Sequence, residues 1–218
     1  MDQTIEVLLA VLALICSVIP HEVAHGYVAW KLGDPTPKLS RRLTLNPLRH
    51  IDLIGSILVP GILIFMRFVA RVNVPIFGWA KPVPINPWYF RDPPRGIMYV
   101  SLAGPGINVA MALLAAGLGR ILMLLPSHAF LYWPMLFVTY LGVISLFLAF
   151  LNLLPIPPLD GSKVLAYFLP SDLRRQYLSV GMFGILILFV LLYFTPVLEQ
   201  LGDFVFRIWV LISGYKFS

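Results

Sequence analysis

The chain has 218 residues, 59% of them hydrophobic and 12% charged, with a formal net charge of +6. Soluble globular domains carry roughly 25% charged residues, so the low charged share and a mean hydropathy of +0.87 exclude that class and point to lipid as the outer solvent. The positive excess does not mark a nucleic-acid binder: the basic residues fall between apolar runs without interleaved aromatics, the pattern of positive-inside loops.

The first apolar segment covers residues 5–30. Asp2 and Glu6 stand where a signal peptide would be basic, no small-x-small cleavage site follows, and the run continues through His21 to Lys31. It is therefore expected to be a retained helix. A basic stretch follows, with Lys31, Lys38, Arg41, Arg42 and Arg49, and then an apolar run over 53–65 interrupted by Gly55, Pro60 and Gly61. Residues 72–86, rich in proline and β-branched side chains, predict short extended strands or a turn. The basic stretches 31–49 and 67–95 both favour the cytoplasmic side. The apolar stretch between them is thus expected to dip into the bilayer and return, against protein or a water-filled cavity, although residues 51–70 are also long enough to span.

A long helix is predicted over 96–125, broken in mid-course at Gly104, Pro105 and Gly106. Another apolar run covers 130–154, and after prolines 155, 157 and 158 comes a loop carrying Lys163, Asp172, Arg174 and Arg175. Residues 180–194 form a further apolar run; residues 197–215, with Glu199, Asp203 and Arg207, either span or lie in the interface as an amphipathic helix. Trp30, Trp88, Tyr89, Tyr132 and Trp133 sit near segment ends, as an interfacial belt requires. The predicted fold class is an all-α polytopic membrane protein of five to six membrane segments, one re-entrant, with a small β element on the cytoplasmic side. It reads as one membrane-embedded domain over 1–218, with a core at about 5–170 and C-terminal helices at about 171–218. The single cysteine, Cys16, excludes an internal disulfide framework.

The strongest chemical signal is His21-Glu22-Val23-Ala24-His25. Residues four apart share one helix face, so both imidazoles can reach one metal ion, and Glu22, about 100° further round, can take a proton from a water beside it. An ionisable residue at membrane depth costs several kcal/mol unless it lines a polar cavity, which makes it a functional candidate by default. A polar cluster that only ties helices together is the alternative. A catalytic zinc needs a third protein ligand. Cys16 lies five and nine residues before the histidines and points elsewhere; His128 falls in the turn expected across the membrane, and His50 in the basic loop. Asp160 is the better candidate, in residues 152–161 (Asn-Leu-Leu-Pro-Ile-Pro-Pro-Leu-Asp-Gly), where prolines open the chain and Gly161 permits close approach. Its alternative is a polar helix cap outside the bilayer.

The pair of motifs at 21–25 and 152–161 resembles the signatures of site-2 protease metalloproteases. Residues 104–108 (Gly-Pro-Gly-Ile-Asn) and 77–86 (Phe-Gly-Trp-Ala-Lys-Pro-Val-Pro-Ile-Asn) are similar to further segments of the family's compact members without PDZ or CBS domains. The match covers about residues 5–170. It implies that His21, His25 and Asp160 bind Zn2+, that Glu22 activates water, and that substrates are membrane-spanning proteins or peptides cut near the cytoplasmic side of the cell membrane. Asn152 would then lie beside the metal and hydrogen-bond the substrate or the developing oxyanion. Asn108 is a further candidate for substrate contact, with helix–helix packing as its alternative, and segment 72–86 could pair with an unwound substrate by adding a strand. The competing function is a metal-binding membrane transporter or a proteolytically inactive scaffold.

Overall fold

The computed structural model describes residues 3–68, 71, 80–126 and 129–215. These residues are helical with irregular connections and contain no strand. In order come α1 (Gln3–Lys31), a short α2 (Thr36–Leu39), α3 (Val59–Phe68, entered through a wide helical turn at Leu53–Leu58), α4 (Pro93–Met123), α5 (Tyr132–Asn152), α6 (Asp160–Phe168), α7 (Ser171–Ser179), α8 (Gly181–Phe194) and α9 (Val197–Ser213). Helices α1, α4 and α5 are each long and apolar enough to cross a membrane. Of the β element expected over 72–86, residues 72–79 lie outside the described residues. Residues 80–86 run without strand pairing, and Pro82 and Pro84 have no amide to give a ladder.

The three long helices pack through buried stripes, rich in small residues, at spacings of three or four. On α1 the buried stripe is Ala13, Ser17, His21, His25 and Ala29; on α4 it includes Gly96, Val100, Gly104, Asn108 and Ala112; on α5 it includes Val138, Gly142, Ser145 and Ala149. In lipid no hydrophobic force drives helices together, so close backbone approach along such stripes and polar contacts between them supply the attraction. Ser17 and Ser145, both fully buried, share a 2.9 Å hydrogen bond between α1 and α5. The outward faces stay apolar and exposed, as at Val7, Leu8, Val11 and Leu12 on α1 and Leu113, Leu114 and Leu118 on α4.

Pairwise contacts fix the directions of the helices. His25 meets Val100 while His21 meets Asn108, so α4 runs antiparallel to α1. Tyr132 donates to Glu6 at one end and Ser17 meets Ser145 further along, so α5 runs parallel to α1. The ends of α1 and α5 and the start of α4 therefore lie together. Helix α9 covers α4 and α5 through Val205, Trp209 and Ser213, again four residues apart.

Two features differ from the sequence reading. Helix α4 is not broken at residues 104–106 but continues through Pro105. The proline removes one intrahelical bond, which the packed neighbours and long flanking turns of a membrane helix tolerate. The expected loop after Asp160 is instead α6 and α7. Arg174 closes the C-terminal end of α6, donating to the carbonyls of Ala166 (2.8 Å), Tyr167 (3.2 Å) and Leu169 (3.0 Å). A helix end leaves its last carbonyls without partners, and this guanidinium supplies them.

Candidate metal centre

The site lies where the ends of α1 and α5 meet the start of α4. The i, i+4 spacing puts His21 and His25 on the buried stripe of α1, with Nε2 atoms 3.0 Å apart. The prolines after α5 turn the chain back so that α6 begins at Asp160, whose Oδ2 lies 3.3 Å from His21 Nε2 and 3.0 Å from His25 Nε2. That return needs Gly161: a Cβ there would sit 2.1 Å from the Leu153 carbonyl oxygen. Asp160 is thus both the first residue of a helix and part of the histidine cluster.

Three donor atoms at mutual spacings of 3.0, 3.0 and 3.3 Å are close to one face of a small tetrahedron. Zinc at about 2.0–2.2 Å from nitrogen and oxygen ligands would want them roughly 3.3–3.6 Å apart. Two histidines with one carboxylate are also a donor set of known catalytic zinc sites, so the residues present fit the ion. Lys163 Nζ lies 3.1 Å from Asp160 Oδ1.

Helix α4 forms the back of the site. The Nδ1–H of His25 donates to the Val100 carbonyl at 2.6 Å, and the side-chain amide of Asn108 lies 3.1 Å from His21 Nδ1. Between them, a Cβ on Gly104 would fall 2.5 Å from His25 Nε2 and 2.6 Å from His21 Nε2. Glu22 faces a cavity of about 490 Å³ lined also by both histidines, Asp160, Asn152 and Lys163. One of its carboxylate oxygens lies within 4.8 Å of the ring nitrogens.

An extended segment roofs the cavity with Pro82, Val83 and Ile85. It is held by three amides: Lys81 donates to the His50 carbonyl (2.8 Å), Val83 to Glu22 Oε2 (3.1 Å) and Asn86 to Asp34 Oδ2 (2.7 Å). Asp34 is fully buried and also accepts from the Thr36 amide. Sequence reasoning missed this anchor; its one local signal is an Asp two residues before a helix start.

Asn152 lines the cavity, with its amide donating to the Leu148 carbonyl at 2.9 Å. Asn108 does not reach the cavity; it is fully buried behind His21. Cys16 is half-buried and outside the donor set. His50 Nε2 meets the Thr44 carbonyl at 2.8 Å and serves the loop. His128 lies outside the described residues.

Comparison with known proteins agrees with this chemistry. Residues 119–194 match the model of peptidase family M50. The chain is 35% identical over 217 residues to "Putative zinc metalloprotease YwhC" of Bacillus subtilis, covering 95% of this chain and 87% of that protein. It is 33% identical over 183 residues to "Putative zinc metalloprotease Rip2" of Mycobacterium tuberculosis, covering 84% of this chain and 65% of that protein. A third similarity, 46% over 95 residues, is to "Putative zinc metalloprotease MJ0611" of Methanocaldococcus jannaschii, covering 42% of this chain and 46% of that protein. No solved structure matches. A histidine pair four residues apart, a carboxylate brought to it from far along the chain, and a relative aligned over most of both lengths lead to one assignment: the chain belongs to peptidase family M50, the site-2 protease family of zinc metalloproteases.

Proposed function

We propose that this membrane metalloprotease hydrolyses peptide bonds of membrane-spanning substrates, with His21, His25 and Asp160 as zinc ligands and Glu22 as general base. The observation that carries the reading is the convergence of His21 Nε2, His25 Nε2 and Asp160 Oδ2 within 3.3 Å of one another, beside a cavity that Glu22 lines. When bound, zinc supplies a water of pKa about 7 and polarises a carbonyl. Glu22 would take the proton of that water and return it to the leaving amine; the Val83 amide engages only its Oε2, which leaves Oε1 for this task. Asn152, on the cavity wall, is the group we assign to the substrate backbone or the developing oxyanion.

His25 and His21 precede Lys31 by six and ten residues, or about 9 and 15 Å at the helical rise, which is inside a hydrocarbon core about 30 Å thick. The basic residues at that end of the bundle support a site facing the cytoplasmic side of the cell membrane. The antiparallel contact of α1 with α4 supports the re-entrant reading of the apolar run over 53–65, since the connection must leave and return at the same end. With α8 and α9 added, we read five to six segments in one domain over 1–218, its catalytic core ending near residue 170.

The test is Glu22→Gln in purified protein with a model single-span substrate. Zinc content should match wild type while cleavage falls about 10²–10⁴-fold. Unchanged cleavage would remove Glu22 from the mechanism. Wild-type protein that holds zinc and cuts no membrane-spanning substrate would leave a metal-binding scaffold.

A further inference from the structure

Helix α4 treats the two histidines alike in position but not in chemistry. Val100, Gly104 and Asn108 lie four residues apart on one face of α4, opposite His25 and His21. A backbone carbonyl can only accept. At 2.6 Å from His25 Nδ1 the Val100 oxygen therefore requires the proton on Nδ1 and leaves Nε2 as a lone pair aimed at the donor cluster.

His21 needs the same tautomer if its Nε2 is to serve the cluster, yet no carbonyl meets its Nδ1. The group there is the side-chain amide of Asn108, 3.1 Å away and 0% exposed. With its NH2 facing the ring, its oxygen, Oδ1, is buried with no partner. The oxygen and nitrogen of an amide are alike in shape, and their assignment follows from the hydrogen-bond network. An NH2 donating to Nδ1 would force the imidazole proton onto Nε2, pointing it into the cluster of His25 Nε2 and Asp160 Oδ2. With the amide turned, Oδ1 gains a donor, and His21 takes the form that His25 already has.

We propose that Asn108 is a positioning residue for the metal centre: its Oδ1 accepts from His21 Nδ1–H and fixes the tautomer and ring plane that aim Nε2 at the donor cluster. This rests on the zinc-ligand reading above and gives Asn108 a role other than substrate contact. Gly104 is what lets it reach, because any side chain one turn away would hold α4 off both rings. Outer partners of this kind orient ligating histidines, and their loss typically weakens metal binding about 10–100-fold.

The test compares Asn108→Leu, Asn108→Ala and Asn108→Asp in the full chain, with His21→Ala as control. It measures zinc affinity by chelator competition and the visible absorption of the cobalt-substituted protein. Leu and Ala should weaken zinc about 10–100-fold and alter the cobalt spectrum. Asp, which keeps an acceptor and loses the donor, should return both to near wild type. The Ala variant stands in should Leu fail to fold, with helical content by circular dichroism as the check. Wild-type affinity and spectrum in Leu or Ala, or no recovery in Asp, overturns the proposal, the second outcome leaving a packing role. If His21→Ala itself keeps wild-type zinc affinity, the ligand assignment has failed instead, and the role of Asn108 falls with it.

Discussion

At the scale of single residues, the centre depends on what two glycines leave out. A methyl group at 104 would overlap both imidazoles, and one at 161 would overlap the Leu153 and Leu154 carbonyl oxygens at 2.1 and 2.6 Å. Gly104→Ala is therefore expected to lower zinc affinity at least about tenfold with helical content unchanged, read by metal analysis and circular dichroism. Normal zinc affinity in that variant would mean that α4 can withdraw without cost to the site. His21, Glu22 and His25 could be picked out from sequence because their relation is local: a spacing of four on a helix needs no tertiary knowledge. Asp160 stood out through the prolines around it, which open a helix at a carboxylate. The placement of Asn108 could not be read that way, because it depends on the antiparallel register of α4 against α1, and nothing in residues 104–108 states which helix they will face.

At the scale of elements, α6 and α7 hold the third donor in place. The stretch carrying Lys163, Asp172, Arg174 and Arg175 reads as a loop in the sequence, but one of those charges is structural. Arg174 gives three hydrogen bonds to the end of α6, so the polar residue that suggested a loop is what terminates a helix. Replacing it by alanine leaves those carbonyls to water or to nothing. Arg174→Ala should cost about 1–3 kcal/mol in stability, seen as a lower Tm in detergent, and should weaken zinc through the loss of a fixed α6. A variant with unchanged Tm would show that α6 is held by its packing on α4 alone. The mid-helix break expected at Pro105 failed for a different reason: proline's effect in a membrane helix is set by its neighbours, and sequence shows only the missing amide.

At the scale of the whole molecule, the three long apolar helices were visible in hydropathy, whereas their mutual directions follow from contacts between distant residues. Those directions can be checked without a substrate. In a Cys16→Ala background, single cysteines at Arg41 and Arg91 should label from one face of the membrane and one at Pro126 from the other. Labelling of Arg41→Cys and Arg91→Cys from opposite faces would contradict the shared end of α1 and α4.

The roof over the cavity carries one more consequence. Between 81 and 86, the amides of Lys81, Val83 and Asn86 are turned inward to fixed acceptors, and two prolines have none to offer. Among residues 81–86 this leaves only the Ile85 N–H uncommitted, so this stretch has few donors to offer a peptide. On the proposed function an unwound substrate lying beside it would have to bring the hydrogens itself, and methylating the backbone nitrogens of a peptide substrate near the scissile bond should cost more affinity than weakening its carbonyl acceptors by thioamide exchange.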